Sequence, residues 1–181
     1  FLPIIKLNNM PLIAYRDLPK NIVKNIEKIL GVKVFKKQYK DILEANLELT
    51  RLVEDEKKLV GLQTSVFYLP YMPENMRFHF NAHNLLVYGK SGKNYKVSDP
   101  VFEDVVECSE KDLTIARFAK GVFAPKGFLY YPMSIPTSLD YVSILKKAIR
   151  KNAKSMLTPF PFAGVKGMRR LAKSIEKLQN N

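Results

Sequence analysis

The pattern of apolar positions predicts two helices in the first third of the chain. Apolar residues recur at helical spacing from Ile22 to Leu30, with Pro19 in the first turn and Gly31 directly after the last periodic residue. A second stretch with apolar residues at helical positions runs over about 41–54. Both stretches precede most of the strand-like sequence, so the chain opens with helices.

Short runs of β-branched and apolar residues predict the strands. The spacing of Ser109 and Asp112 resembles a capping box and predicts one further helix among them. Helices followed by a mostly antiparallel sheet indicate an α+β domain rather than alternating α/β units. The predicted strands cover 32–35, 59–67, 78–89, 95–99, 104–107 and 127–131.

The character of the chain changes after Pro132 and Pro136. Two basic amphipathic helices are predicted over about 139–157 and 165–178, separated by a Pro- and Phe-rich stretch. We therefore predict one domain over 1–135 and the helical, basic start of a second over 136–181.

The net charge of +13 is concentrated in this C-terminal part, where 139–181 hold ten Lys or Arg against two acids. Such asymmetry suggests an acidic partner: a protein, an anionic membrane or nucleic acid. The alternative is a set of solvated lysines with no partner. The lack of a helix-turn-helix, zinc-finger or aromatic-basic signature disfavours nucleic acid. The absence of Trp, and an apolar helix face expected to pack internally, disfavour a membrane.

The cysteine content bears on the compartment. Cys108 is the single cysteine, which excludes an internal disulfide and favours a reducing compartment, with the cytoplasm as the default expectation. No apolar run approaches the roughly 20 residues that span a bilayer. Nearby acids oppose ionisation of this thiol, so we expect it to be buried and inert.

His83 and Asp99 form a candidate catalytic pair on neighbouring predicted strands. A histidine acts as a base when an acid orients its ring, and paired positions on one sheet face allow this contact. A three-residue loop over 90–92 would place the two residues opposite each other, whereas a two-residue turn would put them on opposite faces. The alternative is a core histidine and an acid that merely ends a strand.

No reactive nucleophile for this pair is evident, and the chain begins at Phe1 in an apolar run rather than at Met. We therefore expect the chain to start inside a larger protein, with the nucleophile upstream. His79 and His83 share a face in an extended strand, but no third ligand is recognisable, so we predict neither a metal nor a cofactor.

Six motifs follow one another along the chain: Phe67–Tyr71, Phe78–His83, Val87–Gly89, Ser98–Pro100, Asp112–Arg117 and Pro125–Gly127. In this order they resemble the butirosin biosynthesis protein H N-terminal family. The second part of the chain, including Gly164–Met168, resembles the uncharacterised domain that commonly follows it. Asn81 and Ala82 stand where relatives often carry glycines, a departure that could alter access to the imidazole.

The resemblance implies a papain-like cysteine-peptidase-type fold with a Cys-His-Asp triad. His83 would be the base and Asp99 its orienter, with the cysteine at the start of a helix upstream of Phe1. It further implies transfer of an acyl group from an acyl carrier protein, which is acidic, to a small-molecule amine, within secondary metabolism.

Other readings of the same residues stay open. A papain-like peptidase or amidase would use the same triad with water as acceptor, and a non-catalytic binding module would use only the basic tail. Tyr68, Tyr71 and His79 either line the acyl or acceptor pocket or pack a Pro-rich loop. Gln63 is a possible oxyanion donor, although its mid-strand position favours a structural role.

Overall fold

The described residues fall into two units. The computed structural model describes residues 4–7, 10–13 and 19–179, with side chains from 21 to 177. One unit comprises 33–134, and the other joins the segment up to Val32 to the segment from Ile135 onward. The apolar opening Phe1–Ile5 lies partly outside the described residues, and the predicted division into 1–135 and 136–181 stays a prediction.

The unit 33–134 is built on a six-stranded sheet whose neighbouring strands are all antiparallel. The order across the sheet is β3-β8-β4-β5-β6-β7. Together with the helices packed on it, this sheet confirms the predicted α+β class. The strands are β3 (Lys33–Lys37), β4 (Val60–Thr64), β5 (His83–Ser91), β6 (Asn94–Ser98), β7 (Val106–Ser109) and β8 (Leu129–Ser134).

Two helices of this unit begin at side-chain caps. The Asp41 carboxylate accepts the Glu44 N–H at the start of α2 (Ile42–Thr50), which continues into one π-helical turn over Arg51–Asp55. Ser109 caps α3 (Glu110–Arg117) by accepting the Asp112 N–H at 3.1 Å. The predicted N-cap at Ser109 is therefore confirmed, and the Asp112 carboxylate accepts from the Ser109 hydroxyl at 2.6 Å rather than from the Ser109 N–H.

The core lies on one face of the sheet. Leu85, Val87, Tyr95 and Val97 are buried at alternate positions of β5 and β6, under α2, α3 and the π turn. Each fully buried aliphatic side chain contributes roughly 1.5–3 kcal/mol. A one-residue slip would therefore be costly, and the burial fixes which side chains of β5 and β6 share a face.

Among its described residues, the second unit contains a two-stranded sheet and three helices. The strands are β1 (Ile4–Leu7) and β2 (Met10–Ile13), and the helices are α1 (Pro19–Leu30), α4 (Tyr141–Met156) and α5 (Gly164–Gln179). The predicted helices are confirmed, whereas β1 and β2 had no counterpart in the sequence-based prediction. None of the described helices combines the length and apolar character needed to cross a membrane.

The apolar face of α4 is open to solvent. Val142, Leu145 and Ile149 are 63%, 58% and 66% exposed. The expectation that this face packs internally is therefore wrong for these residues. The exposed surface of α4 combines them with the basic side chains of the same helix, so it is both apolar and cationic.

Candidate active site

The hairpin between β5 and β6 turns over two residues rather than three. Ser91 pairs with Asn94, which leaves Gly92 and Lys93 as the turn, with Gly92 at a φ of 57°. A glycine in this left-handed conformation suits the first central position of a tight hairpin turn. Of the two alternatives considered, the hairpin therefore has the two-residue turn rather than the three-residue loop over 90–92.

A β-bulge compensates for the shorter turn. The register shifts between Val87 and Gly89, so Tyr88 has no directly opposite partner in β6. Because one extra residue reverses the alternation of faces, the bulge returns His83 and Asp99 to the same face. A two-residue turn without the bulge would have separated them.

His83 and Asp99 are in direct contact. His83 Nε2 lies 2.7 Å from Asp99 Oδ2, and the Asp99 side chain is fully buried while that of His83 is 10% exposed. His83 is the first residue of β5, and Asp99 follows the last residue of β6 directly. The predicted strand from residue 78 is irregular up to residue 82. The pair is thus assembled at one end of the sheet.

Three donors converge on the Asp99 carboxylate. Oδ2 accepts from the Tyr71 hydroxyl at 2.9 Å as well as from His83, and Oδ1 accepts the Val101 N–H at 3.0 Å. Burial by itself raises the pKa of this carboxyl, but the bonds from His83, Val101 and Tyr71 outweigh it and hold the pKa below its usual value. Asp99 is therefore ionised at neutral pH.

An ionised carboxylate only accepts hydrogen bonds, so the proton in the His83–Asp99 contact belongs to Nε2. In the neutral ring Nδ1 then carries the lone pair and can act as a base. No hydrogen bond to Nδ1 occurs among the described residues. Thr64 lies directly opposite His83 on β4, and its buried hydroxyl has no partner in the part of the chain the structure describes.

The predicted pocket residues separate into two groups. The Tyr71 hydroxyl is bonded to Asp99, a contact that no local sequence signal indicated across 28 positions. Tyr68 and His79 lie around Phe67, whose ring stacks on the His79 ring with centroids 3.9 Å apart. A role of Tyr68, Tyr71 and His79 in substrate binding stays a prediction.

The amide side chains of Gln63 and Asn81 fix the segment leading into His83. Gln63 Nε2 donates to the carbonyl oxygens of Asn81 and Phe123, at 2.8 and 3.0 Å. Asn81 Nδ2 donates to the carbonyls of Lys120 and Val122. Gln63 thus uses both amide protons structurally, in line with its mid-strand position.

Cys108 faces the core from β7 and is 1% exposed. Burial, with a contribution from Asp112, raises the pKa of its thiol to about 12. The expectation of a buried thiol is confirmed, and this cysteine does not supply a thiolate near neutral pH. Among the described residues, no group of three or more His, Cys, Asp or Glu side chains could hold a metal ion.

Comparisons with known proteins agree with the motif analysis. The family described as butirosin biosynthesis protein H, N-terminal, matches residues 1–100, and a domain of unknown function (DUF4872) matches residues 111–181. No curated protein matches the chain.

Among solved structures, the chain is similar to one from Bacillus anthracis described as a C39-like peptidase. The identity is 15% and the TM-score 0.39, over 62% of this chain and 57% of that one. The chain thus spans less than two thirds of that protein.

Proposed function

The chain belongs to the butirosin biosynthesis protein H N-terminal family, and we propose that the whole protein is a cysteine-dependent acyltransferase of antibiotic biosynthesis. His83 is the base and Asp99 its orienter, and the nucleophilic cysteine lies outside this chain. The observation that carries the proposal is the 2.7 Å contact between His83 Nε2 and the fully buried Asp99 carboxylate. We place the protein in the cytoplasm, where a reactive thiol stays reduced.

The first step forms an acyl-enzyme. The cysteine, as a thiolate paired with protonated His83, attacks the carbonyl carbon of a thioester on an acyl carrier protein. A new carbon–sulfur bond forms to the enzyme, and the bond to the carrier sulfur breaks. The carrier leaves as a free thiol after it takes the proton from His83 Nδ1.

The second step transfers the acyl group to a small-molecule amine. The amine nitrogen attacks the acyl carbon, His83 Nδ1 takes a proton from that nitrogen, and the cysteine leaves as a thiolate. The thiolate–imidazolium pair is thereby restored. Asp99 stabilises the imidazolium in both steps because its carboxylate accepts the Nε2–H bond directly.

The acyl carrier partner is proposed from the surface of α4. Acyl carrier proteins are acidic, and Lys146, Lys147, Arg150, Lys151 and Lys154 are all exposed on this helix. Exposed Val142, Leu145 and Ile149 add apolar area beside these charges.

Charge reversal tests this surface. Lys146→Glu with Lys147→Glu should raise the KM for the carrier-bound donor, with kcat unchanged, because the charges act on encounter rather than on chemistry. Lys93→Glu with Lys111→Glu, exposed positions in the other unit, is the matched control. An equal effect of both pairs would argue against a carrier site on α4.

The decisive experiment traps the acyl-enzyme in the whole protein. Incubation with an acylated carrier protein should add the acyl mass to an upstream cysteine, as measured by intact-protein mass spectrometry. His83→Gln should abolish the adduct, whereas Lys93→Gln, at an exposed position of the same unit, should retain it. Release of the acyl group by amine supports the transferase, release by water alone supports a peptidase or amidase, and no adduct at all supports a non-catalytic module.

A further inference from the structure

Tyr71 lies on a loop that is held in place from both sides. Arg77 donates from Nε to the Met72 carbonyl at 2.7 Å and from Nη2 to the Pro70 carbonyl at 2.9 Å. The Tyr71 ring packs edge-on against Phe102, with centroids 5.8 Å apart. These contacts fix the phenol before any substrate arrives, and its hydroxyl points to Asp99.

We propose that Tyr71 is a positioning residue that keeps the Asp99 carboxylate ionised and aimed at His83. This inference rests on the proposed function, since it assigns Tyr71 a role in supporting the His83–Asp99 pair. Tyr71 and His83 reach the same oxygen, Oδ2, from different segments, and the Val101 N–H fixes the other oxygen. The carboxylate is therefore held at both oxygens, which leaves it little freedom to rotate away from the ring.

The chemistry of the donor matters as much as its place. A lysine or arginine here would neutralise Asp99 and weaken its hold on the imidazolium, whereas a neutral phenol orients the carboxylate without adding charge. Burial and the neighbouring Asp99 charge raise the pKa of Tyr71, so the phenol keeps its proton. Cys108 on β7 also acts on the Tyr71 phenol, but as a neutral thiol, and the Arg77 guanidinium is engaged by the Met72 and Pro70 carbonyls.

The first test uses this chain and needs no catalysis. In a His79→Gln background, His83 is the only imidazole of the 181 residues, so its ring N–H proton can be followed by NMR. We expect Tyr71→Phe to move the pH at which this signal is lost on acidification upward by about half a unit, because Asp99 loses one donor and its pKa rises. Tyr68→Phe, the matched control from the same loop, should leave that pH unchanged.

Equal pH values for Tyr71→Phe and its parent would overturn the inference. If Tyr71→Phe fails to fold, Arg77→Met keeps the hydroxyl but removes the two bonds that fix its loop. This variant should shift the loss in the same direction by a smaller amount, and no shift would likewise overturn the inference. Failure to trap an acyl-enzyme would refute the proposed function but leave this result intact.

The second test uses the whole protein. Tyr71→Phe should lower kcat about tenfold while KM changes little, because a less firmly held orienter affects the reacting state more than binding. Tyr88→Phe, which removes a phenol hydroxyl from β5 outside the predicted pocket, should leave kcat unchanged. A raised KM with unchanged kcat in Tyr71→Phe would overturn the positioning role and assign Tyr71 to substrate binding instead.

Discussion

His83 and Asp99 are bonded although neither lies directly opposite the other in the sheet. Because Leu86 pairs with Ser98, the position opposite Asp99 is that of Leu85, and His83 reaches the carboxylate diagonally. Diagonal neighbours on one face are within reach of long side chains. The contact thus requires that both side chains lie on the same face of the sheet. The two-residue turn and the bulge together determine that face.

The charge of Asp99 should make the stability of the unit 33–134 depend on pH. The pKa of this carboxyl is lower in the folded than in the unfolded state. The stabilisation by the Asp99 charge is therefore fully present above the unfolded-state pKa of about 3.9, and it is lost as pH falls through the folded-state pKa. Asp99→Asn should therefore cost about 1–3 kcal/mol of unfolding free energy at pH 7. The cost should shrink below about pH 4.

Urea unfolding of the parent and Asp99→Asn between pH 3 and 7 measures this difference. Asp104→Asn, at an exposed position of the same unit, is the control and should show little cost at any pH. A cost for Asp99→Asn that stays constant across the range would mean that the carboxylate charge does not stabilise the fold.

The class of the fold could be predicted from the sequence because its signals are local. The apolar periodicity, with Pro19 at the start and Gly31 after the end, predicts α1, and the N-cap at Ser109 predicts α3. The packing of one helix on others is not local, which is why the exposure of Leu145 on α4 was missed. Helical spacing shows that a face is apolar but not whether anything covers it.

The candidate pair was predictable, whereas its geometry was not. A histidine strand next to an aspartate strand is visible in the sequence, and the resemblance assigns the two residues their roles. The unpaired Tyr88 has no sequence signature, because a bulge forms where burial of Leu85 and Val97 outweighs regular pairing. The bond from Tyr71 to Asp99 joins two loops, and no spacing rule connects them.

Two glycines with positive φ allow the cost of backbone strain to be measured apart from the cost of steric crowding. Gly92 in the hairpin turn has φ 57° and nothing within 4 Å of the position a methyl group would take. Gly127 has φ 62°, but a methyl group there would lie 2.6 Å from the Phe118 ring. Gly92→Ala should cost about 1 kcal/mol of unfolding free energy, and Gly127→Ala at least about 2 kcal/mol more.

Urea unfolding of the two glycine variants tests this directly. Equal costs would show that Phe118 moves aside freely. A larger cost at Gly92 would contradict the open space around the turn.

The buried Thr64 hydroxyl should be dispensable for folding. It lacks a hydrogen-bond partner among the described residues, whereas the Thr114 hydroxyl donates to Glu110 and accepts from Asn46. Thr64→Val should therefore be neutral or stabilising by up to about 1 kcal/mol, and Thr114→Val should cost about 1–2 kcal/mol. Thermal unfolding of both variants gives the comparison.

Activity of the whole protein adds a second readout at Thr64. Since this residue lies opposite His83, a loss of kcat in a Thr64→Val protein of undiminished stability would place the hydroxyl in the reaction. Destabilisation by Thr64→Val would instead show that the hydroxyl has a partner in the folded protein.

The thiol of Cys108 should be unreactive towards alkylating reagents in the folded chain. Its burial and its pKa of about 12 leave almost no accessible thiolate at pH 8. Iodoacetamide at that pH should leave the native chain unmodified and should alkylate it fully in guanidinium chloride, as measured by intact mass. Cys108→Ala, which removes the only thiol of the chain, should remain unmodified in both conditions. Rapid modification of the native chain would contradict the burial of Cys108 and would make this thiol a candidate nucleophile for His83.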